Sequence, residues 1–257
     1  MSTGNYADVN GIRMYYETHG EGKPLVLIHG GGSTIETTFG TILPLLATHY
    51  EVIAVELQAH GHTGDRDAPE SFSQDADDVA ALLDQLKISK AFIFGFSNGG
   101  STALQIAIRH AALADKLVVA AGAYKREGFI AGFFEGMNDA SLDNMPKGLQ
   151  DAFLRINPDF NALVNMFNKD KQRMIDFKDW DEELLKNIQV PVLIINGDKD
   201  VTLPEHALNM ARLIPNASLI ILPGVHGEYL GEIDIAKPGS KLPAITVELI
   251  KEFLDKE

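Results

Sequence analysis

Cysteine is absent from all 257 residues. Disulfides, Cys-ligated zinc and a thiol nucleophile are therefore excluded. Basic residues are scarce: 22 Lys and Arg stand against 36 Asp and Glu, a formal net charge of −14. No cationic surplus exists to displace counterions from nucleic acid or to hold an anionic membrane, so neither partner is expected. No apolar run approaches the length needed to span a bilayer. The opening residues, from Met1 to Asp8, lack the basic start and apolar stretch of a signal peptide. A soluble cytoplasmic protein is the expectation. No internal repeat or low-complexity tract is visible, and tryptophan occurs once, at Trp180.

What is present is enough apolar material, 45% of residues, for a sizeable core in one domain with a modest insert. Tyr6 to Val9, then Asn10-Gly11, then Ile12 to Thr18 reads as a β-hairpin. Short apolar runs follow at Leu25 to Ile28, Val52 to Val55, Ala91 to Phe94, Leu117 to Ala121, Val192 to Ile195 and Leu219 to Leu222. Such runs suit parallel strands buried on both faces. Helical patterns separate them: Phe39 to Ala47, interrupted by Pro44, then Ser73 to Leu86, Ser101 to His110, Pro204 to Ile214 and Leu242 to Leu254. The alternation predicts a doubly wound α/β sheet.

The alternation breaks once, between Gly122 and Ile188. Short helices are expected there at Glu127 to Met137, Lys147 to Ile156, Phe160 to Asn168 and Glu182 to Ile188. Seven of the 13 Phe, four of the seven Met and Trp180 fall in this stretch. They either fix a helical insert to the body, or line a pocket beneath it, or do both.

Chemistry concentrates at Gly95-Phe96-Ser97-Asn98-Gly99, between an apolar run and a helical pattern. Strand, Gly-x-Ser-x-Gly, helix is the nucleophile-elbow arrangement. The turn demands small residues two before and two after the serine. It lifts the hydroxyl clear of the backbone, beside a helix N-terminus that favours negative charge. Serine needs a base and oxyanion donors. His226, in the loop after the last predicted strand, is the favoured base. His206 is the other candidate, but it falls inside a helix and is expected to face solvent. For the acid, Asn196-Gly-Asp-Lys-Asp200 offers two aspartates; Asp200 is favoured, with Asp198 bracing the turn. One oxyanion donor is expected from the backbone N–H of Asn98. The rest should come from His29-Gly30-Gly31-Gly32-Ser33, where glycines allow close backbone approach. That loop lacks the Lys and Ser/Thr of a P-loop and the spacing of a dinucleotide fingerprint, so phosphate binding is not expected. His29 is expected to brace it. His60 and His62, two apart in Glu56 to Gly64, have no third ligand marked nearby and read as a turn. No metal or cofactor is expected.

Taken together, the hairpin, the glycine loop, Glu56 to Thr63, the elbow at Ser97, Asp200 and His226 resemble the α/β-hydrolase superfamily over essentially the whole chain. The resemblance implies a mostly parallel sheet of about eight strands. It assigns residues 1–121 and 189–257 to the hydrolase core and 122–188 to a helical cap over the active site. It makes Gly31 the second oxyanion donor, with Gly32 as the neighbouring possibility. Ser97 stands where enzymes of carbon–halogen or epoxide cleavage carry aspartate, which disfavours those reactions. The implied branch holds small-molecule esterases, enol-lactonases, carbon–carbon bond hydrolases and cofactor-free haloperoxidase-like proteins. Two departures stand out. Glu56 replaces a common aspartate, and the acidic stretch Gly227 to Lys241 separates His226 widely from the last helix.

The leading expectation is a serine hydrolase cleaving a small ester, thioester or lactone, with an apolar acyl group. Carbon–carbon bond hydrolysis or lyase chemistry on the same triad is the alternative. A slow or non-catalytic small-molecule binder on the same fold is a third. The sequence leaves the oligomeric state open.

Overall fold

The computed structural model describes residues 4–256; Met1 to Thr3, part of the segment read for a targeting signal, lie outside them. The strands are β1 (Asn5–Val9), β2 (Ile12–His19), β3 (Lys23–Ile28), β4 (Tyr50–Val55), β5 (Ala91–Phe96), β6 (Ala114–Ala120), β7 (Val192–Gly197) and β8 (Ala217–Leu222). The helices are α1 (Ile35–Phe39), α2 (Leu43–Leu46), α3 (Phe72–Gln85), α4 (Asn98–Arg109), α5 (Phe133–Asp139), α6 (Lys147–Ile156), α7 (Phe160–Ile175), α8 (Glu182–Lys186), α9 (Pro204–Leu213) and α10 (Leu242–Asp255).

One eight-stranded sheet runs in the order β1-β2-β4-β3-β5-β6-β7-β8. The hairpin β1–β2 and the pair β2–β4 are antiparallel; the other neighbours are parallel. The hairpin turns at Asn10 and Gly11, both at positive φ, as Asn-Gly demands. Side chains alternate along each strand. Val26 and Ile28 of β3 pack with α3, α4 and α9 on one face. Leu25 and Leu27 pack with α1, α2 and α10 on the other. The expected doubly wound sheet is therefore present, with a buried core on each side.

Some local expectations change. Pro44 does not interrupt one helix; it sits in the first turn of α2, after a break that follows α1, where its missing N–H costs nothing. The predicted helix from Glu127 to Met137 is a single 3-10 turn at Arg126–Gly128 followed by α5. Helix α7 runs seven residues past the predicted end at Asn168. His206 does not face solvent. It is 4% exposed, its ring stacks on Tyr124 at 4.6 Å, and its Nε2 accepts the Tyr124 N–H at 3.3 Å. A Cβ on Gly128 would run into the ring. The helix face that sequence reasoning gave to water instead receives the root of the insert.

Between β6 and β7 the insert carries α5 to α8. Its root is tied to the loop after β7: Ile130 N donates to Val201 O at 2.9 Å, and Leu203 N to Gly128 O at 2.8 Å. Its own apolar clusters each include one residue of the body. Ala59 joins Met145, Phe153 and Leu163, and Phe72 joins Met174 and Phe177.

Candidate active site

The elbow begins where β5 ends. Ser97 has φ 55° and ψ −119°, a strained conformation for a residue with a side chain. Its N–H is anchored to Ala120 O at 2.8 Å. A Cβ on Gly95 would overlap the Gly99 carbonyl, and one on Gly99 would overlap the Ile28 carbonyl. The two small residues demanded by the motif are thus dictated by backbone crossing backbone. Helix α4 starts immediately after Ser97 and points its first N–H groups toward it.

The structure brings Ser97, His226 and Asp200 together. His226 Nε2 lies 3.0 Å from Ser97 Oγ, and His226 Nδ1 lies 2.6 Å from Asp200 Oδ1. A carboxylate accepts, so Nδ1 carries the proton and Nε2 is left to accept the serine proton. Asp200 is buried and also takes the N–H groups of Gly197 and Thr202, at 3.4 and 3.3 Å. Burial alone would raise its pKa, but the charge of His226 and these hydrogen bonds hold it below the usual range. Asp198 sits apart from the histidine and accepts Gly224 N at 2.7 Å, bracing the loop that leads to His226.

The glycine loop is held by the buried His29. His29 Nε2 accepts the Leu57 N–H at 3.0 Å, so its proton is on Nδ1, which donates to Gly30 O at 2.7 Å. Burial, with the charge of His60, pushes His29 down to about 3 and keeps it neutral. Carbonyl and N–H oppose each other across a planar trans peptide. Fixing Gly30 O therefore fixes the direction of the Gly31 N–H. Neither that N–H nor the Asn98 N–H meets a backbone or side-chain acceptor among the described residues, whereas the Gly32 N–H is taken by Asp170 Oδ2. Gly31 and Asn98 are the free donors beside Ser97; Gly32 is not one.

A cavity of about 500 Å³ opens over these groups. Its lining includes Ser97, Asn98, Gly31 and His226, and from the insert Phe129, Phe133, Phe167, Phe177, Met137 and Met174. The insert's aromatic and sulfur side chains therefore face the cavity as well as the body.

Sequence reasoning missed one group. Asp170 and Arg173 of α7 are buried and paired. Arg173 reaches Asp75 of α3 at 2.7 Å and Glu70 at 3.5 Å, and Asp170 Oδ2 lies 2.9 Å from His60 Nε2. Burial disfavours the Asp170 charge, yet Arg173 and His60 hold it far below the usual carboxylate range. Burial also opposes the charged form of His60, but Asp170 raises it to about 9. The readable signal was their place on the apolar stripe of α7, among Leu163, Met166 and Met174. His62, the other histidine of that turn, binds Glu56 Oε2 through Nδ1 at 2.9 Å and stacks on Tyr15. Among the described residues no group of three or more His, Asp or Glu is arranged to hold a metal ion. No helix among them is long and apolar enough to cross a membrane.

Comparison with known proteins bears on the family and the fold. The chain is 31% identical to the human serine hydrolase BPHL over 86% of its length and 79% of the relative's. It is 26% identical to the 2-hydroxy-6-oxo-6-(2'-aminophenyl)hexa-2,4-dienoic acid hydrolase of Metapseudomonas resinovorans, over 85% and 82% of the two chains. The crystal structure of a meta-cleavage product hydrolase from Pseudomonas fluorescens IP01 superposes with a TM-score of 0.79 at 25% identity, covering 98% of this chain and 97% of that one. The family model for the alpha/beta hydrolase family matches residues 25–228. A sheet of this order, a serine elbow between β5 and α4, and these matches place the chain in the alpha/beta hydrolase family.

Proposed function

We propose that this hydrolase cleaves a small carboxylic ester, thioester or lactone through an acyl-enzyme on Ser97. The observation that carries the reading is the unbroken chain Ser97 Oγ, His226, Asp200, with steps of 3.0 and 2.6 Å, beside two free backbone donors. Ser97 Oγ attacks the carbonyl carbon while His226 Nε2 takes its proton. The oxyanion forms against the N–H groups of Gly31 and Asn98. Collapse expels the alcohol or thiol, which receives the proton from His226. Water then gives its proton to His226 and attacks the acyl carbon; collapse breaks the bond to Ser97 Oγ, which takes the proton back from His226, and the acid leaves. Asp200 stabilises the imidazolium and keeps its proton on Nδ1. Residues 122–188 act as a cap, and their apolar walls favour an apolar acyl group. The reading is tested with a fluorophosphonate probe and a panel of nitrophenyl esters, thioesters and lactones. Wild type is labelled at Ser97 and hydrolyses at least one class, and Ser97→Ala does neither. Turnover undiminished in Ser97→Ala would end it.

A second reading, hydrolysis of a carbon–carbon bond on the same triad, is favoured by two of the relatives, whose names describe a dienoic acid hydrolase and a meta-cleavage product hydrolase. It predicts strong turnover of vinylogous diketone acids and weak turnover of every simple ester in the panel.

A further inference from the structure

We propose that Asp170, on α7 of the insert, is a positioning residue for acyl transfer: its single carboxylate clamps both halves of the oxyanion site, so the donors are aimed only while the insert is docked. The proposal rests on the Ser97 reading above.

The two oxygens of Asp170 divide between the two segments that supply the donors. Oδ2 accepts the Gly32 N–H, and Oδ1 accepts Asn98 Nδ2 at 3.3 Å. Asn98 gives its backbone N–H to the oxyanion in the mechanism above, while its side chain is held by Asp170. On the glycine loop the argument concerns peptide planes. His29 pins the plane before Gly31 through Gly30 O. Asp170 pins the plane after it by accepting the Gly32 N–H; His60 Nε2 also lies 3.2 Å from that nitrogen, but it gives its own proton to Asp170 and so cannot accept. Gly31 has no side chain to restrict it, and its two dihedrals are free unless both flanking planes are fixed. His29 belongs to the body, where Leu57 N–H and Gly30 O hold its ring. Asp170 arrives with the insert.

Packing at Gly31 agrees. A Cβ there would collide with Asn98 Nδ2 and stand 3.0 Å from Asp170 Oδ2. The clamp therefore lies directly over the residue whose N–H faces the cavity. A carboxylate so close to a developing oxyanion would oppose it by charge. Arg173 and His60, both paired with Asp170, neutralise that charge and leave its hydrogen bonds. Arg173 in turn grips Asp75 on α3, which fastens this part of the insert to the body. The cost of a poorly aimed donor falls on the transition state, where the oxyanion exists, and spares ground-state binding.

The test compares wild type, Asp170→Asn, Asp170→Glu and Asn98→Ala. Active sites are titrated with the fluorophosphonate probe, and kcat is expressed per titrated site. Asp170→Asn is expected to lower kcat per site and the probe's inactivation rate by about 10- to 100-fold, with KM changed by less than about threefold. Asp170→Glu, which keeps the charge, recovers part of the loss. A purely structural role would lower the titre and the melting temperature and leave kcat per site at the wild-type value, which overturns the proposal. Asn98→Ala removes one hydrogen bond from Asp170 but leaves its ion pairs with Arg173 and His60 intact; it tests the other arm of the clamp, so it decides the matter should Asp170→Asn fail to fold. It is expected to lower kcat per site by about 3- to 10-fold, and an unchanged kcat per site overturns the proposal. Wild type that the probe does not label would instead refute the Ser97 reading, a separate outcome.

Discussion

At the scale of single residues, each group beside Ser97 has its proton placed by a neighbour. Asp200 holds the His226 proton on Nδ1 by accepting it at 2.6 Å. Asp200→Asn removes that instruction. The amide can present an N–H to Nδ1, which forces the proton onto Nε2, facing Ser97. The volume is conserved, so the fold should hold while kcat drops by about 10³- to 10⁴-fold. Stopped-flow kinetics and a thermal melt on the same sample check both halves; comparable losses in each would contradict the tautomer argument. The elbow glycines respond in the opposite sense. Gly95→Ala drives a methyl group into the Gly99 carbonyl, and backbone on both sides leaves nothing flexible to yield. A stability loss of at least about 1–3 kcal/mol is expected in urea unfolding. Ser97, His226 and Asp200 were legible because each follows a strand and their order is that of the elbow hydrolases. The glycine run made only the loop legible; the family resemblance pointed to Gly31 with Gly32 beside it, and the hydrogen bonding of Gly32 separates the two.

At the scale of elements, the insert is joined to the body by buried charge as well as apolar packing. Helix α7 places Asp170 and Arg173 one turn apart on its inner face, and Arg173 crosses to Asp75 on α3. The partner of this pair on α3 was hidden from sequence reasoning. Asp and Arg three apart on a helix ordinarily form a solvated pair, and nothing local says that Asp75, about a hundred residues earlier, completes it. The predicted end of α7 at Asn168 also fell short of both residues. His206 was misjudged for a related reason: a histidine in a helix reads as surface unless the element covering it is known, and here that element is the insert's root at Tyr124 and Gly128. The regular parts of the fold were legible because apolar runs of strand length need no long-range information. The buried ion cluster gives a direct prediction. Arg173→Met leaves Asp75 buried without its cation and Asp170 with His60 alone, and should cost about 3–5 kcal/mol. Chemical denaturation measures it, and a loss below about 1 kcal/mol would mean the pair is solvated in solution.

At the scale of the whole molecule, the same cluster sets how stability depends on pH. Two groups titrate above neutrality only in the folded state. His60 is raised from 6.5 to about 9: burial opposes its charge, and Asp170 outweighs burial. Glu70 is raised from 4.5 to about 8 by burial, with Arg173 opposing. Between pH 6.5 and 9 the unfolded chain has released both protons, while the folded chain keeps them until pH passes about 8 and 9. The folded state binds more protons, so stability falls as pH rises through this window. Below pH 6.5 another pair acts in the reverse direction. Burial lowers His29 to about 3 and His206 to about 4, so the unfolded state binds more protons there and acidification destabilises. Buried acids work against that trend, since Glu232 is raised to about 7 and Asp75 to about 6, chiefly by burial. The acid side should therefore be shallow down to about pH 5, and the alkaline side steep. Urea unfolding across pH 5 to 9.5 should show maximal stability near or below pH 6.5 and a decline on the order of a few kcal/mol by pH 9. Glu70→Gln removes one of the two alkaline protons and should roughly halve the slope between pH 6.5 and 8, while the part carried by His60 continues up to about pH 9. A stability that rises from pH 6.5 to 9 would mean that His60 is neutral in the folded protein, and with it that Asp170 holds the Gly32 N–H without a cationic histidine beside it.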